Sequence, residues 1–437
     1  MARGFRAIRS DPLTFLEETQ CRYGDLVAFP WPGAPALLVG DPEAVRHILQ
    51  GNARNWTKST RQYTSLATVT GRGLLAVSDD RWLSRRRIAQ PAFHHSRIGA
   101  IGTIVADSGR AVADSWDGGV AGGEIVDVDA LSMQITLDVV GRTLFDRDLA
   151  DVTDELVHAT DEAAELIVAQ GRSLFWSSWV PTSVNRRLSA SVAVLDDVCR
   201  RLVTDRRGRG VGERDTDLLG LLVAAGLPDD AIRDELVTMV VAGHETVASA
   251  LTWTLMLLAE NPEAQARLRD EARGTREWTS PRRREQLPWT YAVVDESLRL
   301  FPPGWVISRK ATQADSLGGQ VVPAGTLAII SPWLLHRNAK SWPDPGEFRP
   351  ERFLGEAATR ARPDYVPFGL GPRLCIGREL ALVELTILLA ELLRDHAVEL
   401  PSGWSRPELS ALVTLRPRGG LRLVVVPLRE GRVRATP

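Results

Sequence analysis

Apolar residues recur every three or four positions along most of this chain, the spacing that lays them on one face of a helix. The pattern predicts helices over 12–23, 42–50, 81–92, 98–116, 130–145, 151–170 and 186–206. Two β-like runs are expected near 26–30 and 36–40. The weakly patterned stretch 59–80, with glycines at 71 and 73, reads as a loop carrying a short helix. RGRGVGERDTD, 207–217, reads as a solvated loop. Asp229 and Asp230, after Pro228, then suit a helix start, and no breaker follows until Asn261-Pro262. About 30 residues at 1.5 Å each make a helix about 45 Å long, enough to cross the whole molecule.

Further helices are expected over 263–273 and 288–301, with a charged loop at 275–286 between them and Pro302-Pro303 as the stop. The period then changes to short β-like pieces at 305–311, 319–322 and 326–330. Residues 338–367 are irregular and rich in proline and charge. A helix over 377–395 and β-like pieces at 411–416 and 421–426 complete the pattern. The fold class is mainly α with a minor, segregated β part. No linker tract, repeat or run of like charge divides the chain, so residues 1–437 are expected to form a single domain.

Composition removes some classes. The 437 residues are 44% hydrophobic and 25% charged, ordinary for a globular protein and unlike disordered, collagenous or coiled-coil chains. Lys plus Arg, 53, nearly balances Asp plus Glu, 55, and a net charge of -2 gives no broad electrostatic reason to bind nucleic acid. Cys21, Cys199 and Cys375 cannot all pair and are too widely spaced for a disulfide framework, which favours a reducing compartment. MARGFRAIRSDPLTFLEE, at the start, lacks the apolar core of a signal peptide. The longest apolar stretch, 380–393, is broken by Glu384 and Glu391 and reads as a buried helix, not a membrane span. A soluble, cytoplasmic protein is expected.

One segment carries chemistry. In FGLGPRLCIG, 368–377, three glycines surround a single cysteine and a long apolar helix follows at once. Cys375 is therefore expected on a tight loop at a helix N-terminus, where exposed N–H groups and the helix dipole favour a thiolate. Cys21 and Cys199 read instead as small buried hydrophobes. No second cysteine or histidine stands at zinc spacing. A lone thiolate serves best as one axial ligand to iron whose other positions a porphyrin fills.

Near the middle of the long helix stands AGHET, 242–246. Gly243 costs a helix about 1 kcal/mol relative to alanine, and Thr246 can bond back to the Ala242 carbonyl and bend it. Such an opening, with a hydroxyl and a carboxylate, could hold a small ligand and relay protons. Taken alone, a packing glycine beside a surface glutamate is the plainer alternative.

In these segments the chain resembles the cytochrome P-450 superfamily. Phe368, Gly371, Arg373, Cys375 and Gly377 match every fixed position of that family's haem loop, Phe-x-x-Gly-x-Arg-x-Cys-x-Gly, and Gly369 matches a common preference. Ala242, Gly243, Glu245 and Thr246 match its [Ala/Gly]-Gly-x-[Asp/Glu]-Thr. Glu296 and Arg299 match Glu-x-x-Arg, and PERF, 350–353, supplies Arg352 as third partner. Trp82 and Arg86 match Trp-x-x-x-Arg. The resemblance runs from about Asp11 to Val426, and it looks like that of a soluble bacterial member with eukaryote-like motifs.

The resemblance implies the cytochrome P-450 fold and a haem b whose iron takes Cys375 as axial ligand. It implies that Thr246 stabilises iron-bound oxygen and Glu245 feeds it protons, with His244 incidental. Phe368, Gly369, Gly377 and Ala242 would face the haem; Trp82, Arg86, Arg309 and Arg373 would hold its propionates, with Lys58 a weaker candidate. Glu296, Arg299, Arg352 and His336 would be structural. The implied reaction inserts one oxygen atom from O₂ into a lipophilic molecule. Electrons would come ultimately from NAD(P)H through a separate ferredoxin and ferredoxin reductase. A terpenoid or polyketide of secondary metabolism is the first expectation for the substrate and a fatty acid the second. Its contacts are expected at Val241, Trp305, Val306 and Leu412, with Leu174, Phe175 and Trp176 nearby. The rivals are a haem-thiolate sensor or carrier without turnover, and a peroxide-driven enzyme of the same fold.

Overall fold

The computed structural model describes residues 10–29, 35–77, 79–94, 97–116, 123–147, 153–172, 182–210, 212, 216–275, 277–278, 280, 283–355 and 362–428. Helices dominate it, and four small sheets stand apart from them.

The long helix is Asp229–Glu260, 32 residues and so about 48 Å. Two aspartates in its first turn sit favourably at the positive end of the helix dipole. Pro262, which opens the next helix, ends it. Nearly every side chain between Ala231 and Ala259 is buried, the condition of a helix that is hydrophobic all round and runs through a large core. Val128–Leu144 packs along it. The cysteine helix, Arg378–Leu393, is buried on almost every side and lies against Ile98–Trp116 and the long helix. Among the described residues no helix is long and apolar enough to cross a membrane.

The largest sheet has five strands in the order Leu26–Phe29, Ala36–Val39, Leu327–Ile330, Ile307–Ala311, Trp56–Thr57. Only the pair Ala36–Val39 and Leu327–Ile330 is parallel. A hairpin, Leu409–Ala411 with Leu415–Pro417, is fastened to the long helix. Ser249 Oγ and Trp253 Nε1 both donate to the Leu415 carbonyl, at 2.6 and 2.8 Å.

Several boundaries differ from the sequence pattern for local reasons. The helix expected over 42–50 is α-helical only for Pro42–Arg46 and continues as a wider π-turn, His47–Gly51. Ser183–Arg209 runs past its expected end because Arg206 is buried, paired with Asp217 and donating to the Phe145 carbonyl. The short helix Leu218–Ala224 and the strands Trp56–Thr57 and Glu124–Asp127 gave no periodic signal. Cys199 is buried, and burial pushes its thiol up to about 12. Cys21, expected inside, is exposed, because Pro12–Tyr23 buries Leu13, Leu16 and Thr19 instead.

Candidate active site

The cysteine loop is built by backbone contacts and two glycines at positive φ. Cys375 N–H donates to the Phe368 carbonyl at 3.0 Å, and Leu374 N–H to that of Gly371 at 3.0 Å. Gly369 and Gly371 have φ of +73° and +70°, which a side chain resists. A Cβ on Gly371 would also run into the Leu49 carbonyl. Arg86 Nη1 donates to the Leu374 carbonyl at 2.9 Å and pins the loop from the Asp79–Ala89 helix. Cys375 opens onto a cavity yet sits deep among protein atoms. That burial pushes its thiol up, against Gly377 N–H and the cations Arg86, Lys58 and Arg378, which pull it down. The helix N-terminus and these cations thus work toward a thiolate against desolvation, which is the largest single influence on the thiol.

The cavity holds about 320 Å³. Phe368, Gly369, Cys375 and Gly377 line it from the loop; Ala242, Gly243 and Thr246 line it from the long helix. Thr246 Oγ1 donates to the Ala242 carbonyl at 2.7 Å. Glu245 is not part of the wall. Its Oε1 accepts from Thr414 Oγ1 at 2.6 Å, while the buried Oε2 has no hydrogen-bond partner. Burial lifts this carboxyl to about 7, opposed by the Thr414 hydroxyl and by Arg416. Arg416 itself bridges Asp129, at 2.8 Å, and Asp161, at 2.6 Å. His244 turns into the core, with Nε2 3.0 Å from the Met133 carbonyl, and burial holds it neutral by pushing it down to about 3.

Four cations reach the same cavity: Lys58, Arg86, Arg309 and Arg373. Arg373 and Arg86 lie over the Trp82 ring, at 4.2 and 5.5 Å from its centroid. Lys58 lies over Tyr63 at 4.6 Å, and Arg309 Nη1 donates to the Tyr63 hydroxyl at 3.1 Å. Tyr63 also lines the cavity. It carried no sequence signal beyond its place in the 59–80 stretch. Among the described residues the one carboxyl in the wall is Glu384, and burial raises it well above the usual carboxylate range.

The motif pair on Pro288–Leu300 is wholly buried. Arg299 Nε and Nη2 donate to the Glu296 carboxylate, each at 2.7 Å, and Arg352 Nε lies 3.4 Å from it. His336 links this pair to the cysteine loop. Its Nδ1 donates to the Arg299 carbonyl at 3.2 Å, and its Nε2 accepts from Val366 N–H at 2.9 Å, two residues before Phe368.

Four further residues are expected as substrate contacts. Val241, Trp305, Val306 and Leu412 do not line this cavity. Trp305 Nε1 donates to the Leu412 backbone carbonyl at 3.0 Å. Ile307 stands in the wall where Val306 was expected, because side chains alternate along the strand, and Gln62 Nε2 takes the Val306 carbonyl. On the long helix Thr238, Met239, Val247 and Ala250 join Ala242, Gly243 and Thr246 in the wall, and Val241 does not. Leu174, Phe175 and Trp176 lie outside the described residues.

The family model for Cytochrome P450 matches residues 5–423. The chain belongs to the cytochrome P450 family. It is 32% identical over 430 residues to cyclooctatin synthase of Streptomyces melanosporofaciens, covering 96% of this chain and 90% of that protein. It is 35% identical over 396 residues to cyclooctat-9-en-7-ol 5-monooxygenase of the same organism, covering 87% and 83%. The crystal structure of CYP175A1 from Thermus thermophillus superposes with a TM-score of 0.80 at 31% identity, covering 96% of each chain. This cytochrome P450 is thus an oxygen-incorporating oxidoreductase, and the family implies a haem-thiolate iron, redox partners, O₂ and lipophilic substrates. The sensor or carrier without turnover is set aside on the same ground.

The residues present fit such a group. Haem offers a flat apolar face, two propionates and an iron that takes a soft axial ligand. Among the described residues the cavity offers mostly apolar walls, four cations against one carboxyl, and one thiol. His336 makes a testable contribution to the stability of this arrangement. Burial, with Arg299 and Arg337 nearby, pushes it down to about 3. Below its ordinary value of 6.5 the unfolded chain therefore binds a proton that the folded one refuses, and stability is lost as pH falls from 6.5 toward 3. The gap in unfolding free energy between wild type and His336→Asn should narrow by about 2 kcal/mol between pH 7 and pH 5. Denaturant titrations at the two pH values check this, and a constant gap would contradict it.

Proposed function

We propose that this P450 uses a haem b held by Cys375 to hydroxylate or epoxidise a lipophilic small molecule, with a terpenoid as substrate class. One observation carries the proposal: a single cavity joins the Cys375 thiol, the Ala242–Thr246 opening and four cations. Lys58, Arg86, Arg309 and Arg373 would take the propionates, by charge-assisted hydrogen bonds and with Trp82 and Tyr63 as supports. Phe368, Gly369, Gly377 and Ala242 would flank the ring. When bound, the haem supplies the redox chemistry of dioxygen. The chain's own residues exclude water, orient substrate and move protons.

Thr246 presents its hydroxyl oxygen to the cavity while its proton is held by the Ala242 carbonyl. Glu245 holds a proton near neutral pH one residue away and can exchange it toward solvent past Thr414 and the Arg416–Asp161 pair. Glu296, Arg299 and Arg352 are structural in this reading, with His336 as their tie to the loop. We place the protein in the cytoplasm as one domain over 1–437, fed with electrons from NAD(P)H by a separate ferredoxin and its reductase. The apolar walls and the likeness to two Streptomyces proteins named for cyclooctatin and cyclooctat-9-en-7-ol support the terpenoid class.

The test uses haem-loaded protein with surrogate ferredoxin, reductase and NADPH, screened against terpenoids, polyketides and fatty acids for spectral shifts and oxygenated product. Terpenoid product that needs reductant, and that falls in Thr246→Ala, supports the reading. Turnover of fatty acids alone would overturn the substrate class, and turnover with peroxide but not with reductant would overturn the electron route.

A further inference from the structure

Residues 71–77, between Arg61–Thr70 and Asp79–Ala89, form no helix or strand, yet they supply Leu74 and Leu75 to the cavity wall. What holds it is on the long helix. Leu74 N–H donates to Glu235 Oε2 at 3.0 Å, and Arg72 N–H to Asp234 Oδ2 at 2.7 Å. Two neighbouring carboxylates thus take two backbone donors from one short loop. The fit leaves no slack: a Cβ on Gly73 would run into Thr238 Oγ1 and the Asp234 carbonyl, and one on Gly71 into the Asp234 carboxylate. Glu235 is 1% exposed, so no water can replace it as acceptor for Leu74 N–H. Its other oxygen lies 3.8 Å from Arg85 Nε, on the helix that presents Trp82 and Arg86 to the cavity. The far end of the segment is tied by Lys58 Nζ, which donates to the Leu75 carbonyl at 3.1 Å.

Three walls of the cavity therefore meet at a side chain that is absent from its lining. We propose that Glu235 is a positioning residue that sets the width of the substrate cavity, by fixing Leu74 and Leu75 against the long helix through the Leu74 amide. Removing the acceptor leaves that amide buried and unsatisfied, which drives the segment off the helix. The effect is read as ligand discrimination, not as chemistry, because Glu235 touches neither ligand nor Cys375. The inference rests on the haem reading above, and its test separates the two.

The experiment titrates haem-loaded wild type, Glu235→Ala, Glu235→Gln and Gly73→Ala with imidazole and with 4-phenylimidazole, following the spectral shift of azole-bound iron. Wild type should prefer the phenyl compound. In Glu235→Ala that preference should fall by about tenfold, the worth of about one buried hydrogen bond. Imidazole itself, too small to span the cavity, should change by less than about twofold. Glu235→Gln keeps an acceptor oxygen and should stay near wild type, whereas Gly73→Ala, which forces the segment away from its own side, should follow Glu235→Ala. Unchanged discrimination in the alanine variants would overturn the proposal. So would a Gln variant as altered as the Ala variant, which would assign the effect to charge. Failure of both alanine variants to take up haem would overturn it too, since the role would then lie in folding. Wild type that lacks a thiolate-type spectrum would sink the haem reading, whereas an intact spectrum with unchanged discrimination sinks this inference alone.

Discussion

Arg299→Ala should leave almost no haem-loaded protein. Arg299 makes five hydrogen bonds: two to Glu296 and one each to the carbonyls of His336, Pro345 and Glu347, all between 2.7 and 2.9 Å. Both members of the pair are fully buried. A buried pair adds little net stability, but removing one member strands the other's charge, at a cost of about 3–5 kcal/mol. Glu296 would keep only Arg349 N–H, at 2.8 Å, and Arg352 at 3.4 Å. Against a total of about 5–15 kcal/mol for a typical protein, that loss approaches unfolding. The carbonyls it frees include that of His336, the residue that holds Val366 ahead of the cysteine loop. Arg299→Lys should rescue little, because one ammonium cannot span a carboxylate and three carbonyls. Urea unfolding and the ratio of haem to protein check both variants. A loss below about 1 kcal/mol with full haem content would show that the pair is dispensable.

The second large effect concerns proton supply. Glu245→Gln should lower the rate of oxygenated product by about 10²-fold or more, the usual worth of a positioned general acid. The pH profile gives the sharper signature. Burial raises the Glu245 carboxyl to about 7 from its ordinary 4.5, so it carries its proton below pH 7 and loses it above. Wild-type product formation should fall as pH rises through about 7, and the Gln variant should lack that limb. Thr414→Val removes a hydrogen bond that favours the ionised form. It should therefore move the wild-type limb to higher pH. A Gln variant that keeps both the rate and the limb would show that protons arrive by another route.

How far the sequence spoke depended on whether a feature was local. The long helix was legible because its boundaries are local signals, two aspartates after Pro228 and a proline at 262, with no proline or turn signal between. The geometry of the cysteine loop was legible because three glycines around one cysteine constrain the backbone whatever surrounds them. Contacts between distant segments were hidden. Thr414 reaches Glu245 across 169 positions, and Leu74 reaches Glu235 across 161; no spacing rule connects such pairs. The opposing pull of burial on the Cys375 thiol was hidden for a related reason. The helix N-terminus is visible in the sequence, whereas the depth of burial that outweighs it depends on the whole fold. Trp305 and Leu412 read as apolar lining, and no spacing rule shows that the Trp305 indole N–H is taken up by the Leu412 backbone carbonyl, 107 positions away.

The central claim is that the Cys375 sulfur holds a haem iron in this cavity, and the carbon-monoxide difference spectrum of the reduced protein tests it most directly. Wild type, expressed with ample haem precursor, should show the red-shifted band of thiolate-ligated haem. Cys375→His should take up haem but show the band of imidazole-ligated haem. Colourless wild-type protein, or a thiolate-type band that survives in Cys375→His, would contradict the account.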